Sequence, residues 1–249
     1  MASIGIFDSG SGGLSVYREL VKLLPQERYI YFADNAHCPY GEKTAAYIQD
    51  RAREITRFLL GKGADIIVVA CNTATAAAIA TLRVEFPDVP FIGMEPAVKP
   101  AALGTRSGVI GVLATAGTLK GSKYLHTRGR FEDDVRIVEH VGEGFVELVE
   151  NGILDGPVAY ETVRTSLQPL LDAGADRIVL GCTHYPFLRP VIEVIAGPEV
   201  QVIDPAPAVA RQTVRMLEKD CIPTDEGPFS IDLYFSGEPE SLQRIYKLL

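Results

Sequence analysis

Two cysteines close matching segments of the chain. Gly63-Ala-Asp-Ile-Ile-Val-Val-Ala-Cys71 and Gly174-Ala-Asp-Arg-Ile-Val-Leu-Gly-Cys182 agree at six of nine positions, and the cysteines are 182 − 71 = 111 residues apart. Each segment runs into a polar pair, Asn72-Thr73 in the first and Thr183-His184 in the second. One cysteine at the end of a buried strand is ordinarily a small hydrophobe; the same thiol in a repeated motif points to chemistry. A zinc site fits poorly, because Cys182-x-His184 with a distant single Cys71 lacks the usual ligand spacing. A redox pair is also possible, but the sequence holds no Cys-x-x-Cys. A pair of acid/base thiols flanking one small substrate remains. A free thiol has a pKa of about 8.5, so little of it is thiolate at neutral pH. His184, two residues beyond Cys182, would raise that fraction by pairing with the sulfur. Asp8 is the candidate partner of Cys71; a carboxylate accepts a proton or orients the thiol but does not acidify it by charge. The two halves are therefore chemically asymmetric.

Short apolar runs at residues 4–7, 28–33, 66–70, 89–93, 108–113, 135–138, 178–181 and 200–203 read as strands. Helical patterns cover 14–24, 44–62, 74–86, 119–130, 144–151, 160–173 and 206–217. The alternation predicts an α/β fold. The strands lack polar alternation, which predicts largely parallel sheets covered on both faces. The cysteine repeat and a second match, Ile4–Gly10 over Ile110–Ala116, predict two similar α/β halves. Ligands in such sheets sit outside the carboxyl ends of the strands, and the unusual polar motifs fall there. These are Asp8-Ser9-Gly10-Ser11-Gly12-Gly13, the segment from Asn35 to Gly41, Cys71-Asn72-Thr73, Thr115-Ala116-Gly117-Thr118 and Cys182-Thr183-His184. The Gly-rich loop matches neither the dinucleotide fingerprint nor the P-loop. Its glycines permit a tight turn that exposes backbone N–H groups to an anion. Asp8 could equally be a plain helix cap. Cys38 reads as loop packing and Cys221 as incidental.

The chain has 249 residues, 47% hydrophobic and 22% charged, the composition of an ordinary globular protein. Lys and Arg number 24 against 32 Asp and Glu, a net charge of −8, which argues against nucleic acid or a polybasic membrane contact. No leader pattern and no membrane-length apolar run is present, so the expected location is cytoplasmic. A reducing compartment would keep the four cysteines as thiols.

With these residues in place, the sequence resembles the glutamate racemases of the aspartate/glutamate racemase superfamily over essentially its whole length. The motifs are Ile4-Gly-Ile-Phe-Asp-Ser-Gly-Ser-Gly-Gly-Leu14, Pro39-Tyr40-Gly41, Ala70-Cys71-Asn72-Thr73-Ala74, Leu148-Val149-Glu150 and Gly181-Cys182-Thr183-His184-Tyr185-Pro186. Ala114 departs from the glycine usual before Thr115-x-Gly-Thr118. The resemblance implies interconversion of L- and D-glutamate without pyridoxal phosphate or metal, supplying D-glutamate for peptidoglycan. It implies that Cys71 takes the α-proton of D-glutamate and Cys182 that of L-glutamate. Asp8 would assist Cys71; His184, supported by Glu150, would assist Cys182. Asp8, Ser9, Pro39, Tyr40, Gly41, Asn72, Thr73, Thr115, Thr118, Thr183 and His184 would line the substrate site. It further implies a first domain of residues 1–97 plus 208–249, a second of 98–207, a central cleft between pseudo-symmetric halves, and a homodimer. Other superfamily activities, such as aspartate or hydantoin racemisation or decarboxylation, are the nearest alternatives. The two thiols favour a racemase over a one-thiol decarboxylase or a non-catalytic glutamate-binding module.

Overall fold

A computed structural model describes residues 2–220, 222 and 228–249, so Cys221 lies outside the described residues. In chain order the elements are β1 (Ser3–Asp8), α1 (Leu14–Leu23), β2 (Arg28–Ala33), α2 (Ala45–Gly61), β3 (Ile66–Val69), α3 (Asn72–Glu85) and β4 (Phe91–Ile92). There follow α4 (Val98–Gly104), β5 (Val109–Ala114), α5 (Ala116–Leu119), α6 (Ser122–Gly129), β6 (Arg136–Val141), α7 (Phe145–Glu150), α8 (Pro157–Asp172) and β7 (Arg177–Gly181). The last are α9 (Arg189–Ala196), β8 (Gln201–Ile203), α10 (Ala206–Lys219), β9 (Ser230–Phe235) and α11 (Glu240–Tyr246).

The strands form two all-parallel sheets, β4-β3-β1-β2-β9 and β6-β5-β7-β8. Matching β1–β4 to β5–β8 gives the same strand order in both, as the internal repeat predicts. All four residues of β3 are buried, as are the last four of β7. Each such Ile, Val or Leu contributes roughly 1.5–3 kcal/mol of transfer free energy, which fixes these strands centrally in their sheets. Both repeats enter their strand through a left-handed glycine, Gly63 at φ +88° and Gly174 at φ +85°. That conformation ends the preceding helix at little cost for glycine alone.

The structure departs from the predicted elements in several places. The helix predicted over 119–130 is two: Thr115 caps α5, its hydroxyl accepting from Thr118 N at 3.3 Å, and Gly121 separates it from α6. α4, α9 and α11 have no counterpart among the sequence-predicted helices, nor has β9 among the strands. β9 joins β2 in parallel, from Arg28 opposite Ser230 to Ala33 opposite Phe235, and so carries the C-terminal segment onto the first sheet. α10 packs on α1 and buries Val209, Ala210, Thr213 and Leu217, of which Val209, Thr213 and Leu217 form an i, i+4, i+8 stripe. Among the described residues, no helix is long and apolar enough to cross a membrane.

Candidate active site

The carboxyl ends of the two sheets meet. Ser15 Oγ of α1 donates to the Thr183 carbonyl at 2.9 Å, and Thr183 Oγ1 donates to Asp8 Oδ1 at 3.3 Å. Thr73 of the first half and Thr115 and Thr118 of the second share a cluster of hydroxyls. The Oγ1 separations are 2.8 Å for 73–115, 3.3 Å for 73–118 and 3.0 Å for 115–118.

Cys71 ends the β3 segment and caps α3, its Sγ accepting from Ala74 N at 3.4 Å. Ser9 Oγ lies 3.8 Å from the same sulfur. Burial pushes the Cys71 thiol well above its ordinary pKa; the Asp8 charge and Cys182 raise it further, and the Ala74 amide opposes them. Asp8 ends β1, and its Oδ2 accepts from Gly10 N at 3.1 Å and Gly13 N at 3.0 Å. Burial raises its pKa against the pull of His184 and these two amides. A raised carboxyl is a stronger base, which suits a group that exchanges a proton with a thiol.

Cys182 follows β7, and its Sγ lies 3.7 Å from His184 Nδ1. His184 Nε2 is 2.7 Å from Glu150 Oε1 at the end of α7. Burial favours neutral imidazole, yet the hydrogen bonds to Cys182 and Glu150 carry the His184 pKa well above its usual value. Burial likewise opposes ionisation of Glu150, but His184, Ser241 and the Ser11 amide bring its pKa down to about 2. Cys182, His184 and Glu150 thus form a hydrogen-bonded chain, in which an imidazolium can hand a proton to a thiolate and a neutral imidazole can take one from a thiol. Gly12 lets the Gly-rich loop lie against the imidazole, since a Cβ there would fall within 2.7 Å of His184 Cε1.

The two pKa shifts have opposite consequences for stability. The folded-state pKa of Glu150 lies below its ordinary value of 4.5, so its contribution is present above that pH and is lost as pH falls through about 2. His184 is raised above 6.5, so its contribution is complete below that pH and is lost only as pH climbs through the higher folded value. Glu150→Gln is expected to destabilise the protein at neutral pH by about 3 kcal/mol and to flatten the acid limb. Thermal unfolding of both proteins from about pH 2 to pH 8 measures this.

Gly41 lies against the threonine cluster, since a Cβ there would fall 3.3 Å from Thr115 Cβ. Pro39 and Gly41 border a cavity of about 340 Å³ with Thr115, Gly142 and Tyr185. Tyr40 is buried, but its hydroxyl donates to Asp34 Oδ2 at 2.5 Å, and Arg51 holds that carboxylate through two nitrogens. Tyr40 therefore anchors its loop through Asp34, and a ligand would meet its ring or backbone. Cys71, Cys182 and Asn72 are 5%, 7% and 3% exposed, so all three are shielded from solvent. Both side-chain polar atoms of Asn72 lack a protein partner. An unmet amide at this depth costs about 1–3 kcal/mol, which a polar ligand would restore. Two groups escaped the sequence reading. Ser11 donates to Glu150 Oε1 from its amide at 2.7 Å and its hydroxyl at 3.0 Å. Ser241 on α11 also reaches that carboxylate. Ser11 lies in the Gly-rich loop already singled out, which was the available signal; Ser241 had none.

The Asp/Glu/Hydantoin racemase family model matches residues 4–213. The glutamate racemase of Ectopseudomonas mendocina (strain ymp) is 48% identical over 248 residues, covering 100% of this chain and 94% of that one. Glutamate racemase isoform RacE1 of Bacillus anthracis superposes with a TM-score of 0.89 at 32% identity, covering 99% of this chain and 93% of that one. Escherichia coli glutamate racemase, in complex with L-glutamate and the activator UDP-MurNAc-ala, also gives 0.89, at 34% identity and the same coverage of each chain. The repeated sheets, the paired thiol motifs and these similarities agree: the chain belongs to the Asp/Glu/hydantoin racemase family.

Proposed function

We propose that the chain interconverts L- and D-glutamate by proton transfer at Cα, with Cys71 and Cys182 as the two acid/base groups. One observation carries this reading. Two buried cysteines end equivalent strands of two matching sheets, each beside its own proton-exchanging partner, Asp8 or the His184–Glu150 pair. The relatives' glutamate racemase names, and L-glutamate bound in the Escherichia coli neighbour, support glutamate as substrate.

In the D-to-L direction the Cys71 thiolate takes the α-proton and the Cys182 thiol delivers one to the opposite face. The reverse direction exchanges the two roles. Each turnover leaves the thiol and thiolate swapped, and solvent exchange through Asp8 and His184 restores the starting form. The α-proton of an amino acid is weakly acidic, so the carbanion-like state needs donors already aimed at the carboxylate. Asn72, Thr73, Thr115, Thr118, Thr183, Ser9 and the amides near Gly41 supply neutral donors that do not compete with a thiolate for a counter-ion. Closure of the cleft strengthens these interactions by excluding water.

The reading extends to a first domain of residues 1–97 plus 208–249, consistent with β9 on the first sheet and α10 on α1, and a second of 98–207. It extends also to a cytoplasmic homodimer that supplies D-glutamate for peptidoglycan. Polarimetry on L-glutamate, without added cofactor and with L-aspartate as control, tests the activity. Loss of rotation with glutamate and none with aspartate is expected. Stable rotation with glutamate, or faster loss with aspartate, contradicts the assignment.

A further inference from the structure

Cys38 takes no part in the proton relay, yet it is not merely packing. It follows β2 in the loop after the Asn35–His37 turn, and it is half-buried. Its Sγ, a carboxylate oxygen of Glu150 and a ring nitrogen of His184 all lie within 4.8 Å of one another. Three separate segments of the chain thus converge one thiol, one carboxylate and one imidazole on a single point. A cavity of about 600 Å³ lined by Asn35, Cys38, Pro39, Glu150, Ser241 and Arg244 opens onto two of the three. The site can therefore be entered from the α11 side, without passing the catalytic thiols.

We propose that Cys38, Glu150 and His184 form an inhibitory binding site for a borderline divalent cation of the Zn²⁺ class, entered from the cavity beneath α11. Sulfur, nitrogen and oxygen donors in one set select Zn²⁺ or Co²⁺ over Mg²⁺ and Ca²⁺. Tetrahedral bonds of about 2.0–2.3 Å place ligand atoms roughly 3.3–3.8 Å apart. The His184–Glu150 edge, now 2.7 Å, has to open, while the Cys38 edges already lie within 4.8 Å. Both changes are of side-chain size. The cavity leaves the fourth position to water. On binding, the Cys38 thiol and the His184 Nε2–H each give a proton to bulk water through the cavity, the freed sulfur and nitrogen bond the cation, and no electrons are transferred. The bound ion takes the Nε2 and Oε1 atoms that now face each other, so it dissolves the His184–Glu150 hydrogen bond that orients the imidazole toward Cys182. Inhibition as the consequence rests on the racemase reading; the binding itself does not.

Two readouts separate these. With Co²⁺ as probe, the wild-type protein is expected to show a near-ultraviolet sulfur-to-cobalt charge-transfer band. The band should persist in Cys71→Ser and disappear in Cys38→Ala. With Zn²⁺ in a racemisation assay, wild type is expected to be inhibited and restored by chelator, with Mg²⁺ inert. Cys38→Ala should keep basal activity and need about tenfold or more Zn²⁺ for the same inhibition. No Co²⁺ band in wild type, a band that survives Cys38→Ala, or equal Zn²⁺ inhibition of both proteins overturns the site. Absence of racemisation with an intact, Cys38-dependent band instead overturns the catalytic reading and leaves the site standing.

Discussion

Cys71→Ser and Cys182→Ser are each expected to lower glutamate racemisation by about 10³-fold or more in both directions. A serine hydroxyl is far less acidic than a thiol, so neither variant can hold the anion that removes the α-proton. L- and D-glutamate are mirror images of equal free energy, so kcat/KM must fall by the same factor for each. The fold is expected to survive. Cys71 caps α3 through Ala74 N, and serine is a preferred residue in that position. Thermal unfolding of Cys71→Ser within about 1 kcal/mol of wild type, or slightly above it, accompanies the loss of activity. Progress curves by chiral chromatography from each enantiomer measure the activity. Retention of even a tenth of wild-type kcat/KM in either variant contradicts a two-thiol mechanism.

The second large effect is directional. His184 contacts Cys182 at 3.7 Å and Glu150 at 2.7 Å, whereas Asp8 is the group whose charge acts on Cys71. His184→Asn is expected to cost about 10²-fold in kcat/KM, again equally for the two enantiomers. The isotope effects should not be equal. Slowing Cys182 makes its proton transfer limiting both ways. Substrate deuterated at Cα should then show a large effect as L-glutamate, where Cys182 breaks the bond, and a small one as D-glutamate. Solvent deuterium should show the reverse, because Cys182 delivers a solvent-derived proton in the D-to-L direction. Asp8→Asn should invert the pattern. Equal isotope effects from both enantiomers in both variants would contradict the pairing of Asp8 with Cys71 and His184 with Cys182.

The residues that carry this chemistry were legible because they are local. Gly-Ala-Asp, an apolar strand and a cysteine recur as one contiguous motif, and the two copies occupy equivalent strands, β3 and β7. The helices after β1 and β3 were legible from their apolar spacing and from the polar loops that precede them. Illegible parts depend on contacts distant in sequence. Ser11 and Glu150 are 139 residues apart and meet only when the halves do. Glu150 was reached through the family resemblance rather than through any local pattern. β9 has half-buried residues on both faces and an exposed end, as an edge strand does, so it presents no continuous buried run. α4 and α9 carry Pro100 and Pro190 within or beside their first turn, where proline is tolerated but reads as a breaker. The hydroxyl of Tyr40 shows a further limit: its place in the Pro-Tyr-Gly motif marks a site loop, but only its bond to Asp34 reveals which atoms remain for a ligand.

Racemisation in heavy water addresses the opposed thiols most directly. Thiol protons exchange with solvent, and each face of the stereocentre has its own base. Product formed early from either enantiomer is therefore expected to carry deuterium at Cα while recovered substrate remains protiated. Substrate that gains deuterium as fast as product forms, or product that retains the original proton, would mean that a single group serves both faces.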